Sequence, residues 1–445
     1  MKEINLTQGA IFQNLIKFSL PMILGYLLQQ VYNLADTLIV GRCIGSDALA
    51  AVGSAYTLMI FITSIIIGLC MGSGAFFSED YGAGNQRQLK EDIRFSFWFI
   101  FAVSVIISGI IYPGRGFILR ILQTPNELTA LTREYVTVVF AGIIFVFLYN
   151  FFAYLLRAVG NSFVPLVFLA SSSVLNIALD IWFVMGLRLG VGGAALATVI
   201  AQAVSGIGIL AYSLKKLPVL KDNNEKIGWN SHRMKKIIVN DVATGIQQSV
   251  MNFGILMIQG LVNSFGTTVM ASFAAAVKID TIAYMPAQEF GNAYSLFVSQ
   301  NYGADKKERI RKGTLISFAV SAVFCVAISI MICIFAENLM RLFEDANETN
   351  IIAEGTRYLR IEGAMYVGIG ILFLWYGYFR GISRPHISLL LTVISLGTRV
   401  VLSYTLAPHT PLGVTAIWYS IPIGWVLADV VGLCLYRKTN RNFPQ

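Results

Sequence analysis

The sequence predicts an all-α membrane protein: twelve transmembrane helices in two six-helix lobes, arranged as parallel repeats related by a pseudo-twofold axis along the membrane normal. Three observations lead there. Of the 445 residues, 56% are hydrophobic and only 13% charged, with a mean hydropathy of +0.68, whereas soluble domains carry about a quarter charged residues. Apolar runs of bilayer-crossing length, about 20 residues as helix, recur along the whole chain. The loop motifs of the first half return in the second.

Taken in order, the runs lie near 15–40, 47–78, 95–112, 134–156, 163–186 and 191–214, then 237–263, 268–299, 314–336, 356–378, 386–406 and 413–436. The opening MKEINLTQGAIFQNLIKF is amphipathic and has no apolar core before a small-residue cleavage site. It reads as a surface helix leading into the first span rather than a signal peptide.

A net charge of +9 and a pI near 9.2 would also suit a nucleic-acid binder, so the placement of the cations matters. With an even number of spans both termini share a face. That face, with Lys2 and Lys17 at one end, Arg437 and Lys438 at the other, and the loops at 215–236 and 306–312, collects 23 of the 33 Lys and Arg. The opposite face has eight. The positive-inside rule accounts for this bias with both termini in the cytoplasm, as expected of a multi-pass protein of the cytoplasmic (inner) membrane. Nucleic acid is not needed to explain it. The five cysteines lack CxxC spacing and indicate neither a disulfide framework nor a metal knuckle.

The repeat is visible in the loops. FFSEDYGAG from Phe76 matches FVSQNYGAD from Phe297 at an offset of 221, which also carries Gly45 onto Gly266. Further on, LRAVGNS matches FRGISRP at an offset of 223, with Arg157 falling on Arg380. Six spans per copy return the chain to its starting side, so the copies are parallel and a substrate path is expected at their interface. The expected division is an amino-terminal lobe over 1–214, a basic cytoplasmic linker over 215–236, and a carboxy-terminal lobe over 237–445.

GxxxxGK[ST], GxSxG and HExxH are all absent from the sequence, so neither direct use of ATP nor enzymatic chemistry is indicated. Secondary transport then has to run on ionisable groups inside the spans, where a lone carboxylate costs about 2.5 to 3.5 kcal/mol. Between Phe18 and Val40 the only charge is Asp36, with Tyr32 four residues before it. On the fifth span Asn176 and Asp180 stand at i and i+4, hence on one helical face. Thr198 on the sixth span adds a hydroxyl. If these helices meet, two carboxylates in a poorly solvated place cannot both stay ionised cheaply, and one becomes a proton carrier. The same oxygens suit Na⁺, so H⁺ and Na⁺ both stand as coupling ions, with no other cofactor expected.

Pro21 followed by Asp36, the run DTLIVGRCIGSDALAAVG, the paired YGA loops, LRAVGNS and the six-plus-six repeat together resemble the multidrug and toxic compound extrusion (MATE) family of transporters. The resemblance covers essentially the whole chain. It implies a V-shaped pair of lobes that exports organic cations, drugs and other xenobiotics, by antiport against H⁺ or Na⁺. It also implies that Asp36, Asn176, Asp180 and Thr198 form the amino-terminal cation site and that the first helix bends at Pro21.

The second half departs from family members that carry an acid in the middle of the seventh span. From Val242 to Asn263 there is none, only Gln248, Asn252, Gln259 and Asn263 at helical spacing, a stripe suited to interhelical hydrogen bonding or to lining a wet cavity. Lys278, Asp280, Glu289 and Arg399 are the remaining charges well inside spans. A structural ion pair of Arg399 with Asp280 or Glu289 is the expected arrangement, with a second coupling site the other reading. Thirty Phe, nineteen Tyr and thirteen Met can line an adaptable apolar cavity. Expected partners are small organic cations and the lipid bilayer, with the chain acting as a monomer. The competing reading is a flippase of lipid-linked oligosaccharides, which would need a cationic cavity to grip a pyrophosphate, and Lys278 and Arg399 are few for that task.

Overall fold

The structure, a computed structural model, describes residues 4–121, 126–221, 228, 230–343 and 347–441. Lys2 and residues 222–227 and 229 of the 215–236 linker lie outside the described residues. Twelve helical units form in the order expected from hydropathy: α1 Ile11–Cys43, α2 Ser46–Gly82, α3 Gln86–Ile121, the pair α4 Asn126–Ala141 and α5 Ile143–Ala158, α6 Phe163–Asp180, α7 Gly190–Lys216, α8 Ser231–Asn263, α9 Thr267–Gly303, α10 Lys307–Met340, the pair α11 Thr349–Gly363 and α12 Tyr366–Gly381, α13 Pro385–Leu406 and α14 Val414–Arg441. Among the described residues nine helices are long and apolar enough to cross a membrane, and eleven spans result if each bent pair counts as one. The twelfth unit is α8, 33 residues long, whose stripe of amides and Asp241 makes it more polar.

Sequence periodicity did not mark the bent pairs. The α4/α5 axis turns by 43° and the α11/α12 axis by 51°. The first break falls at Gly142, where an added Cβ would lie 2.9 Å from Val199 Cγ2 and 3.0 Å from Gln202 Oε1, so α7 is packed against the glycine itself. The second break falls at Ala364 and Met365, and Met365 is the residue an offset of 223 carries Gly142 onto. The repeat also shows at the starts of α2 and α9, where Gly45 (φ +124°) and Gly266 (φ +101°) hold the left-handed backbone that glycine tolerates.

The chain divides into two compact units, Met1–Leu6 with Leu20–Ser249, and Thr7–Ser19 with Val250–Gln445. Both α1 and α8 therefore pass from one unit to the other, α1 directly before Pro21. The missing N–H of Pro21 deprives the Lys17 carbonyl of its helical partner, yet α1 continues through it as one helix.

In the first unit, rings of α2, α3 and α5 form the centre of the core. Phe97 meets Phe151 at 5.4 Å and Phe147 at 5.3 Å, and Phe77 meets Phe151 edge-on at 5.8 Å. Such pairs add about 0.5 to 1.5 kcal/mol each beyond simple burial. Small residues let helices approach further. A Cβ on Gly68 would lie 2.6 Å from Gly245 Cα, and one on Gly72 would lie 2.8 Å from Asp241 Cα, so α2 and α8 cross nearly backbone to backbone, as glycines four apart permit in membrane helices. Polar contacts tie the same pair: Ser73 donates to Asp241 Oδ2 at 2.5 Å and Asn240 Nδ2 to the Gly72 carbonyl at 3.0 Å. At the start of α8, Arg233 bridges Asp80 of α2 at 2.7 Å and Asp92 of α3 at 2.9 Å and lies over the Phe76 ring.

In the second unit Phe273 stacks on Trp418 at 5.5 Å, and Tyr358 meets Trp418 edge-on at 4.8 Å. Helices α9 and α12 touch through Gly377, whose Cβ would fall 2.5 Å from the Gly291 carbonyl oxygen.

Candidate functional site

Helix α6 presents Asn176 and Asp180 on the same side, and both are buried. Asn176 Nδ2 reaches Thr198 Oγ1 of α7 at 3.5 Å, while the threonine hydroxyl donates back to the Ala194 carbonyl at 3.1 Å, the usual local use of a helical threonine. Asp180 has no exposed surface. Directly after it the helix widens into a π-helical turn over Ile181–Gly186, an irregularity that often marks functional positions in helices.

Asp36 on α1 is close enough to Asp180 for the two charges to act on each other. Tyr32, one turn earlier on α1, lies within electrostatic reach of both acids and of Tyr56. Tyr56 of α2 accepts a hydrogen bond from Asn33 at 3.3 Å, and Tyr135 of α4 interacts with Asp36, Tyr32, Asp180 and Tyr56. Five helices thus converge on one polar cluster, in which Tyr135, Asn176, Asp180 and Thr198 are buried and Tyr32, Asp36 and Tyr56 half-buried. The fold brings Asp36, Asn176, Asp180, Thr198 and Tyr32 together, and Tyr56 and Tyr135 are additions that helical periodicity did not single out.

Two features set the chemistry of this cluster. Both oxygens of Asp180, Oδ1 of Asp36 and Oδ1 of Asn176 lack a hydrogen-bond partner in the protein. Among the described residues no Lys or Arg forms an ion pair with Asp36 or Asp180. Oxygens buried without donors or a counter-charge are costly, and a proton, a small cation or an ordered water relieves them.

The second unit holds a different arrangement from the expected pair of Arg399 with Asp280 or Glu289. Asp280 of α9 is buried and accepts a hydrogen bond from the Tyr366 hydroxyl. The charge acting on it is that of Glu362 of α11, a residue inside the 356–378 run that the sequence did not single out. Arg399 of α13 acts on Glu362 and Tyr358, and among the described residues it forms no ion pair with Asp280 or Glu289. The physical reason is rotation: α11 turns Glu362 inward, where it is buried and within electrostatic reach of Arg399 without forming an ion pair with it. Glu289 accepts from Asn292 at 3.1 Å, and Asn292 in turn accepts from Arg380 at 2.9 Å. Lys278 is exposed. On α8, Gln248 donates to Met71 Sδ at 3.7 Å, Asn252 is half-buried one turn on, and Gln259 donates to Asn263 at 2.9 Å.

The MatE family model matches residues 21–182 and 243–405, one match in each half of the repeat. The chain is 31% identical, over 89% of its length and 88% of the relative's, to the probable multidrug resistance protein YpnP of Bacillus subtilis. It is 23% identical to the multidrug export protein MepA of Staphylococcus haemolyticus over 98% of this chain and 95% of that protein. Among solved structures, an outward-facing multidrug resistance MATE family transporter of the MOP superfamily superposes with a TM-score of 0.92 at 25% identity, covering 99% of this chain and 98% of that one. With both repeats matched and a relative above 30% identity along nearly its full length, this chain belongs to the multidrug and toxic compound extrusion (MATE) family of membrane transporters.

Proposed function

We propose that the protein exports amphipathic, cationic organic compounds by antiport, with Asp36 and Asp180 exchanging H⁺ or Na⁺ and Asn176 and Thr198 supplying neighbouring oxygens. One observation carries the reading: Asp180 is fully buried beside a second acid, with neither carboxylate oxygen partnered and, among the described residues, no base paired to either acid. Such a site is satisfied only while it holds a small cation, so loading and unloading change its free energy sharply. Coupling then requires only that the loaded protein and the substrate-bound protein favour different arrangements. Pro21, where α1 lacks one hydrogen bond, is the cheapest place for that helix to change shape.

The second unit supports a subsidiary version of the same chemistry. Asp280 and Glu362 are two neighbouring buried acids with one guanidinium, Arg399, between the pair and neutrality, so a second ion can be accommodated there. The relatives' names, multidrug resistance and multidrug export, support drug-like substrates over lipid-linked sugars. We place the protein in the cytoplasmic membrane with both termini inside, on the bias of its basic loops.

The test uses purified protein in liposomes with an ethidium-like dye and separately imposed H⁺ and Na⁺ gradients. Uptake that follows one gradient and vanishes in Asp36→Asn and Asp180→Asn supports the reading. Dye flux indifferent to both gradients, or unchanged in both variants, overturns it.

A further inference from the structure

The bend between α11 and α12 opens a groove of about 580 Å³ on the second unit, lined by Ala364 and Met365 on one side and by Tyr419, Ile423, Val426 and Leu427 of α14 on the other, with Arg360 at its edge. The walls are apolar and open: Met365 is 39% exposed, Tyr419 49% and Leu427 46%. In a membrane-spanning helix such a face meets lipid. Arg360 is out of place there. It stands about 16 Å along α11 from Thr349, at 1.5 Å per residue, in the last turn before the bend, where it lines the groove.

Its neighbours do not neutralise it. Arg357, one turn earlier, pairs with Glu354 at 3.1 Å, and Glu354 also accepts from Trp418 Nε1 at 2.7 Å. Arg360 is exposed, and among the described residues it forms no ion pair. A guanidinium left against apolar surface is expensive and is best relieved by an anion that accepts two parallel N–H bonds, which phosphate does. No acid is among the residues lining the groove, so nothing there attracts a cationic compound. An apolar trough with one phosphate-seeking cation at its edge matches a single ligand class available at that surface.

We propose that this groove holds one anionic glycerophospholipid, its phosphate on the Arg360 guanidinium and an acyl chain against α14. The site rests on the chain spanning a bilayer and is independent of the ion-exchange cluster. Occupancy would wedge lipid into the α11/α12 bend, directly beside the helix that carries Glu362, and so bias the shape of that pair.

The experiment is native mass spectrometry of the purified full-length protein titrated with phosphatidylglycerol and, separately, phosphatidylcholine. The expected result is one phosphatidylglycerol retained at least about tenfold more tightly than phosphatidylcholine, a difference of about 1.4 kcal/mol. Arg360→Gln brings the two lipids within about twofold of each other, Val426→Trp, which fills the groove and keeps the cation, weakens both, and Arg357→Gln leaves the preference intact. Arg360→Gln exchanges an exposed side chain, so folding is not at issue, and the melting temperature without lipid checks this for every variant. Equal binding of the two lipids by the natural protein, or an undiminished preference in Arg360→Gln, overturns the proposal.

Discussion

Asn176 of α6 and Thr198 of α7 meet at 3.5 Å, and one turn beyond Asn176 the same face of α6 carries Asp180, buried beside Asp36 with no base among the described residues paired to either acid. The contact fixes the rotation of α6 and with it the direction of its carboxylate. Thr198→Val is therefore expected to weaken gradient-driven dye export several-fold, by analogy with the loss of one hydrogen bond of about 1 kcal/mol, while Thr198→Ser preserves it. Initial rates in proteoliposomes make the comparison.

Asp180→Asn should abolish coupled transport, a loss of at least about a hundredfold in rate, without lowering the melting temperature of the purified protein. Removing an unpaired buried charge relieves a desolvation cost, so the variant is expected to be as stable as its parent or more so. A marked fall in stability would point to a structural duty for that carboxylate.

On the proposed exchange, protons and a cationic substrate draw on the same negative charge, so each should weaken the other's binding to the same extent. Affinity for an ethidium-like cation is expected to rise as pH increases and the acids shed protons, by about tenfold over two pH units for one linked proton. In Asp36→Asn with Asp180→Asn the slope should flatten. Equilibrium dye binding followed by fluorescence polarisation reads both.

Arg233 bridges Asp80 and Asp92 where α8 begins. Arg233→Met strands two largely buried carboxylates and is expected to cost about 3 kcal/mol or more, because breaking a buried pair leaves its charge uncompensated. Adding Asp80→Asn and Asp92→Asn should recover most of that. Thermal unfolding in detergent is the measurement.

Gly68→Leu should destabilise the protein by about 1 to 3 kcal/mol, the usual range for overpacking, since even a Cβ there falls 2.6 Å from Gly245 Cα. Gly109→Ala on α3, with nothing within 4 Å of the new Cβ, should be neutral or slightly stabilising.

Much of this was legible before any coordinates. Asn176 and Asp180 declare a shared face by their i, i+4 spacing, and Asp36 stands out because nothing else from Phe18 to Val40 is charged. Tyr56 and Tyr135 gave no such signal: each is one of nineteen tyrosines, and only the convergence of α2 and α4 on the acids selects them. Glu362 was hidden for a different reason. Its segment alternates charges with apolar residues, and which of those charges turns inward depends on how α11 is rotated against α9, α10 and α14.

Hydropathy, the duplicated loops and the positive bias of one face determined that the chain crosses a bilayer repeatedly in two matching halves, because each of those properties is local and accumulates along the chain whatever the helices touch. Which acids become neighbours, where α4/α5 and α11/α12 bend, and that Arg399 faces Glu362 were decided only in three dimensions. Those outcomes follow from helix rotation and crossing, which are set by contacts such as Gly68 on Gly245, 177 residues apart in the chain, and no window of sequence contains both sides of such a contact.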